Sequence, residues 1–113
     1  MQNYFQIEGI TKNDDNVCYQ IALLSDCEVY EGHFPGHPVA PGACSIEMIR
    51  RCISMFLERE VRFLKIYQCK FLSPVNPEIQ KRILLTLTWK QDIWKAVLMC
   101  DDLLLMRLKV AIR

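Results

Sequence analysis

Two histidines, three prolines and three glycines share the stretch EGHFPGHPVAPGACSIE, residues 31–47, which ends in a glutamate. Three kinds of chemistry fit those residue types. His33 and His37, with Cys27 and Cys44, are competent zinc ligands. The histidines are separated by Phe-Pro-Gly, however, which cannot be helical, and no cysteine pair has the spacing of a structural zinc site. In a second reading the histidines are turn residues whose rings satisfy backbone groups, and the prolines stiffen a long connection. The third is acid–base catalysis.

For that third reading, Pro35, Pro38 and Pro41 restrict the backbone of the stretch, so less entropy is lost in fixing His33 where it acts. A neutral imidazole is a competent base near neutral pH. Gly42 precedes a helical pattern, so its N–H and those after it can point at a developing oxyanion, with the helix's positive end behind them. Glu47 falls near the first turn on the less apolar side, where a protonated carboxyl would donate a proton. Base, oxyanion donor and acid are the parts of an α-proton abstraction with β-elimination. From the residues alone, the turn and catalytic readings both stand.

Whatever the stretch does, a helix must follow it. Ile46, Ile49, Ile53, Phe56 and Leu57 recur at helical spacing, with Glu47, Arg50, Arg51, Ser54 and Glu58 on the other side. This predicts roughly four turns beginning just after Pro41-Gly42. Met48, Cys52 and Met55 widen the apolar stripe beyond what a surface helix needs, which predicts sheet on more than one side of it. YFQIEGI and VCYQIALL, around the polar TKNDDN, read as a hairpin ahead of the stretch. VRFLKIYQCKFL, IQKRILLTLTW, IWKAVLMC and LLLMRLKVAI read as strands after it, the last two joined by Asp101-Asp102 without the glycine an ideal tight turn prefers.

The chain has 113 residues, 51% hydrophobic and 24% charged, which predicts one folded domain over residues 1–113 and argues against disorder. A formal charge of +1 offers no broad attraction to nucleic acid or anionic lipid. No apolar run approaches the length of a membrane span. The six cysteines lack CxxC spacing and a secretory start and read as small reduced hydrophobes, so a soluble cytoplasmic protein is expected.

HFPGHPVAPGACSIE closely resembles the signature of the β-hydroxyacyl-acyl carrier protein dehydratases of bacterial fatty-acid synthesis. The resemblance implies an α+β hotdog fold, with an antiparallel sheet wrapped around a long central α-helix. It implies that His33 and Glu47, fourteen positions apart, are the catalytic pair, and that the Gly42 N–H holds the thioester carbonyl. Isomerising relatives carry aspartate at the position of Glu47, so glutamate favours plain dehydration. KFLSPVNPE, residues 70–78, resembles a second family segment, with Asn76-Pro77-Glu78 where the family usually has Pro-Gly-Asp.

The implied enzyme is a homodimer or a higher oligomer of dimers, each site using His33 of one subunit and Glu47 of the other. Its substrate is an acyl chain on the phosphopantetheine arm of an acyl carrier protein, and the product a trans-2-enoyl thioester. The thioester itself acidifies the α-carbon, so no metal or redox cofactor is expected. Phe34, Val39 and Met48 are candidates for an acyl channel, or for ordinary core packing. Arg50, Arg51, Arg59 and Arg62 are candidates for meeting an acidic carrier, or for a solvated helix face. Arg51, one turn beyond Glu47, would hold that carboxyl ionised if the two met, the wrong direction for an acid; an exposed Arg51 is the plainer expectation. Two other functions fit a hotdog domain: acyl-thioester hydrolysis, and a non-catalytic subunit that binds an acyl carrier.

Overall fold

The computed structural model describes residues 5–24, 42–76 and 80–113. His33, Phe34, His37, Val39 and Cys27 lie outside the described residues.

Alternating apolar and polar residues make the hairpin β1 (Phe5–Lys12) and β2 (Asn16–Leu23). After the histidine stretch comes α1 (Gly42–Leu57), then β3 (Phe63–Phe71), β4 (Arg82–Lys90), β5 (Ile93–Cys100) and β6 (Leu103–Ile112). The six strands form one sheet in the order β1-β2-β4-β5-β6-β3, and every neighbouring pair is antiparallel. β1 and β3 therefore stand at its two ends. The separation of β3 from β4 across the sheet is the non-local step in the topology.

Side chains of alternate parity bury one face of the sheet: Val17, Tyr19 and Ile21 on β2, Ile83, Leu85 and Leu87 on β4, Ala96 and Leu98 on β5, Leu108 and Val110 on β6. The helix covers this face. Its ridge Cys44-Met48-Cys52 and the pair Ile49-Ile53 are buried in the same cluster, and Ser45, one turn before Ile49, is buried too. Tyr19 Oη donates a hydrogen bond to the Cys52 carbonyl at 3.2 Å, tying β2 to the middle of α1. Burial pushes both the Tyr19 phenol and the Cys52 thiol up to about 12, so both stay neutral. Phe56 packs against Trp89 and Trp94 at centroid distances of 5.1 and 6.0 Å, closing the C-terminal end of the helix against the sheet.

This is the hotdog fold: a long central helix wrapped by an antiparallel sheet. The four-turn helix and its start agree with the periodicity. Met55 does not, being 48% exposed although it extends the apolar stripe. It stands on the rim of the helix, bordering an open pocket with Phe5 and Ile7 of β1. The Asp101-Asp102 turn forms without glycine, since Cys100 pairs with Leu103 and Asp101 adopts φ 52°. A short carbonyl-bearing side chain tolerates that region better than most. Among the described residues no helix is long and apolar enough to cross a membrane.

Candidate active site

The helix begins at Gly42 with no acidic residue in its first turn, so its first N–H groups have no partner within the helix and no charge in that turn offsets the positive end of its dipole. Beside that start lies an open groove of about 290 Å³, lined by Gly42, Ser45, Phe71, Leu72, Ser73, Pro74 and Val75. Its far wall is held firmly. The Leu72 and Ser73 N–H groups donate to the Leu105 carbonyl at 2.9 and 3.2 Å, while Asn76 N–H donates to Gln80 Oε1 at 2.6 Å and Gln80 N–H to the Asn76 carbonyl at 2.7 Å.

Glycine at position 42 has a steric reason. A Cβ added there would stand 2.7 Å from Cζ of Phe71, so a side chain at 42 would push the exposed Phe71 ring off the helix start. The groove is thus roofed by an aromatic ring, open to backbone donors at one end, and near the lower size limit of small-molecule sites.

Glu47 does not line this groove. At 3.6 residues per turn it lies about 140° around the axis from Gly42 and about 200° from Ser45. There its carboxylate is gripped by Arg50, with Nη2 2.5 Å from Oε1 and Nε 2.9 Å from Oε2. Arg50 in turn donates to the Val61 carbonyl at 3.1 Å and reaches Glu60 at 3.3 Å. Arg51 Nε stands 3.6 Å from the same Glu47 oxygen, and its guanidinium 5.9 Å from the Phe5 ring centroid. The hydrogen bonds from Arg50 hold Glu47 below its ordinary carboxylate value against the opposing push of burial, and the charges of Arg50 and Arg51 add to that pull. Glu47 is therefore an ionised carboxylate in this chain.

One expectation needs correcting here. Arg51 is not an exposed side chain: it is only 22% accessible and meets both Glu47 and Phe5. Nor is it the main partner of Glu47, because Arg50, one residue closer, makes the two short bonds. The i,i+3 spacing of Glu47 and Arg50 was as readable as the i,i+4 spacing of Arg51. What favours Arg50 is the return of Glu60 and Val61 to the helix after the turn, which fixes its guanidinium from behind.

Gly42 and Glu47 thus stand on different sides of one helix. Met48 is buried in the core. Sequence reasoning missed Ser45 and Phe71 as groove residues; the KFLSPV segment carried a resemblance, but nothing local says that it crosses the sheet to meet the helix start.

A family model described as ApeI-like, ApeI dehydratase, matches residues 9–101. Among curated proteins the chain is 38% identical over 55 residues to a 3-hydroxyacyl-[acyl-carrier-protein] dehydratase FabZ of Fusobacterium nucleatum, covering 44% of this chain and 39% of that one. It is 30% identical over 104 residues to a FabZ of Methylobacterium radiotolerans, covering 80% of this chain and 66% of that one. The chain spans about half the length of the curated relatives it matches. Among solved structures, a chain of the dehydratase heterocomplex ApeI:P from Xenorhabdus doucetiae shares the fold, with a TM-score of 0.82 at 20% identity over 95% of this chain and 96% of that one. With the family match running from β1 to the end of β5 through the whole histidine stretch, the chain belongs to the ApeI-like dehydratase family.

Proposed function

We propose that the protein dehydrates a 3-hydroxyacyl thioester, carried on an acyl carrier protein, to the trans-2-enoyl thioester. The observation that carries this reading is the family match through the segment holding His33, Gly42 and Glu47. In the proposed reaction His33 removes the α-proton, and Gly42 N–H steadies the negative charge that builds on the thioester oxygen. The C–H electron pair becomes the Cα–Cβ double bond as the β C–O bond breaks, and Glu47 supplies the proton that lets the hydroxyl leave as water. Phe34 and Val39 are the proposed apolar contacts of the acyl chain, whereas Met48 packs in the core. One folded domain over residues 1–113 is part of the same reading.

The angle between Gly42 and Glu47 supports a site shared by two subunits, with His33 and Gly42 from one chain and Glu47 from the other. The end strand β3 supports the dimer itself: Leu64, Ile66, Tyr67 and Phe71 are all exposed along it, an apolar edge that pairing would cover. Glu47 must be released by Arg50 before it can carry a proton. Glu60 and the Val61 carbonyl already contact the guanidinium, so release would not leave Arg50 unpaired.

The same clamp favours a second reading, in which Glu47 stays ionised and the chain serves as a partner subunit of another, active hotdog protein. The heteromeric dehydratase of Xenorhabdus doucetiae, a structural neighbour, supports that alternative. One experiment separates the two. The purified protein is incubated with a 3-hydroxyacyl-acyl carrier protein, alongside His33→Ala and Glu47→Gln, and the acyl group is followed by mass. Dehydration by wild type, at least a hundredfold reduced in each variant, is the expected result. A substrate left intact across chain lengths sinks the primary reading for the protein acting alone, and release of free carrier thiol would mean hydrolysis instead.

A further inference from the structure

The Ser45 side chain is left over by everything above. Ser45 is 4% exposed, borders the groove, and among the described residues its hydroxyl has no hydrogen-bond partner. A buried hydroxyl without a partner costs free energy that a buried alanine would not, so its presence at this position calls for a physical reason. Ser45 is also the only buried polar residue of α1, in a ridge otherwise made of Ile49 and Ile53.

The direction of the side chain supplies that reason. Cα–Cβ bonds on a helix lean toward the N-terminus, and residues three apart share a face. Ser45 therefore leans over the turn that opens with Gly42, whose N–H has no partner within the helix itself. Backbone donors and a hydroxyl donor converge on one end of the groove, with no acidic residue in that turn and the Phe71 ring as a wall. An acceptor oxygen on an otherwise apolar group is the chemistry that satisfies all of them together.

We propose that Ser45 is a substrate-binding residue whose hydroxyl donates a hydrogen bond to the carbonyl oxygen of the acyl thioester, beside the backbone N–H of Gly42. This deepens the dehydration reading by giving the carbonyl a second, side-chain donor, and it rests on that reading for the identity of the ligand. Ser45 binds the carbonyl in the ground state and in the enolate-like state alike, and it moves no proton to carbon.

The test compares two unreactive probes, a saturated acyl-pantetheine thioester and its thioether, in which CH₂ replaces the carbonyl, against wild type and Ser45→Ala. Binding is read by isothermal titration and folding by thermal melting. Ser45→Ala is expected to weaken the thioester roughly three- to tenfold, to leave the thioether unchanged, and to melt no lower than wild type, since no protein partner is lost. Equal losses for both probes, or no loss for either, overturn the proposal. A lower melting temperature overturns it too, by showing a structural partner for the hydroxyl. Thioester binding that depends on Ser45 without any enoyl product would sink dehydration and leave the Ser45 assignment standing.

Discussion

Arg50 sets the charge on Glu47 by geometry. Two hydrogen bonds to the two carboxylate oxygens hold the glutamate's folded-state pKa below the unfolded one. The folded state then binds fewer protons than the unfolded state between those values, so the pair's contribution to stability is full above about pH 4.3 and is lost as pH falls through the folded value. Arg50→Gln removes it. At neutral pH the variant is expected to be about 1–2 kcal/mol less stable than wild type, and in acid the two should converge. Thermal melts across that range decide the matter, because a gap that persists in acid would assign the cost to packing. Sequence spacing showed that Glu47 had arginine neighbours; it took the fold to rank them, since Glu60 and Val61 reach Arg50 only after the chain reverses.

At the scale of the element, α1 ends by a specific device. Arg59 N–H donates to the Ser54 carbonyl at 3.2 Å and Glu58 N–H to the Met55 carbonyl at 3.3 Å, the two bonds of a Schellman cap. Glu58 occupies the position where such caps favour glycine, with φ 56°, and its carboxylate sits at the negative end of the helix dipole. Glu58→Gly relieves both strains. It should stabilise the protein by about 1 kcal/mol and raise the melting temperature by about 4 °C. No gain would mean that glycine's greater freedom in the unfolded chain offsets the relief.

Across the whole molecule, one face of the sheet carries the core and the other does not. Adjacent leucines on β4 report the difference: Leu85 is fully buried under the helix, and Leu84 is 39% exposed on the outer face. Leu85→Ala should cost about 2–5 kcal/mol, and Leu84→Ala about 0.5 kcal/mol or less, in denaturant unfolding. Similar losses at both sites would mean that something covers the outer face as well. The exposed apolar side chains of β3 belong to this scale too, since their burial waits for another strand rather than for this chain's own helix.

Local pattern was enough for the elements. Period 3.6 from Ile46 to Leu57 and period 2 in the strands follow from how side chains leave a helix and a pleated sheet, and both are properties of neighbouring residues. The prolines and glycines ahead of α1 marked its start for the same reason, and a fifteen-residue motif sufficed to point at His33, Gly42 and Glu47. The tertiary structure alone decided which groups meet. Phe71 lies over Gly42 because β3 crosses to the far end of the sheet beside β6, and Arg50 wins over Arg51 because the chain after α1 turns back on it. Ser45 loses its water for that same reason, since burial is set by what distant segments bring to a surface and no window of sequence contains them.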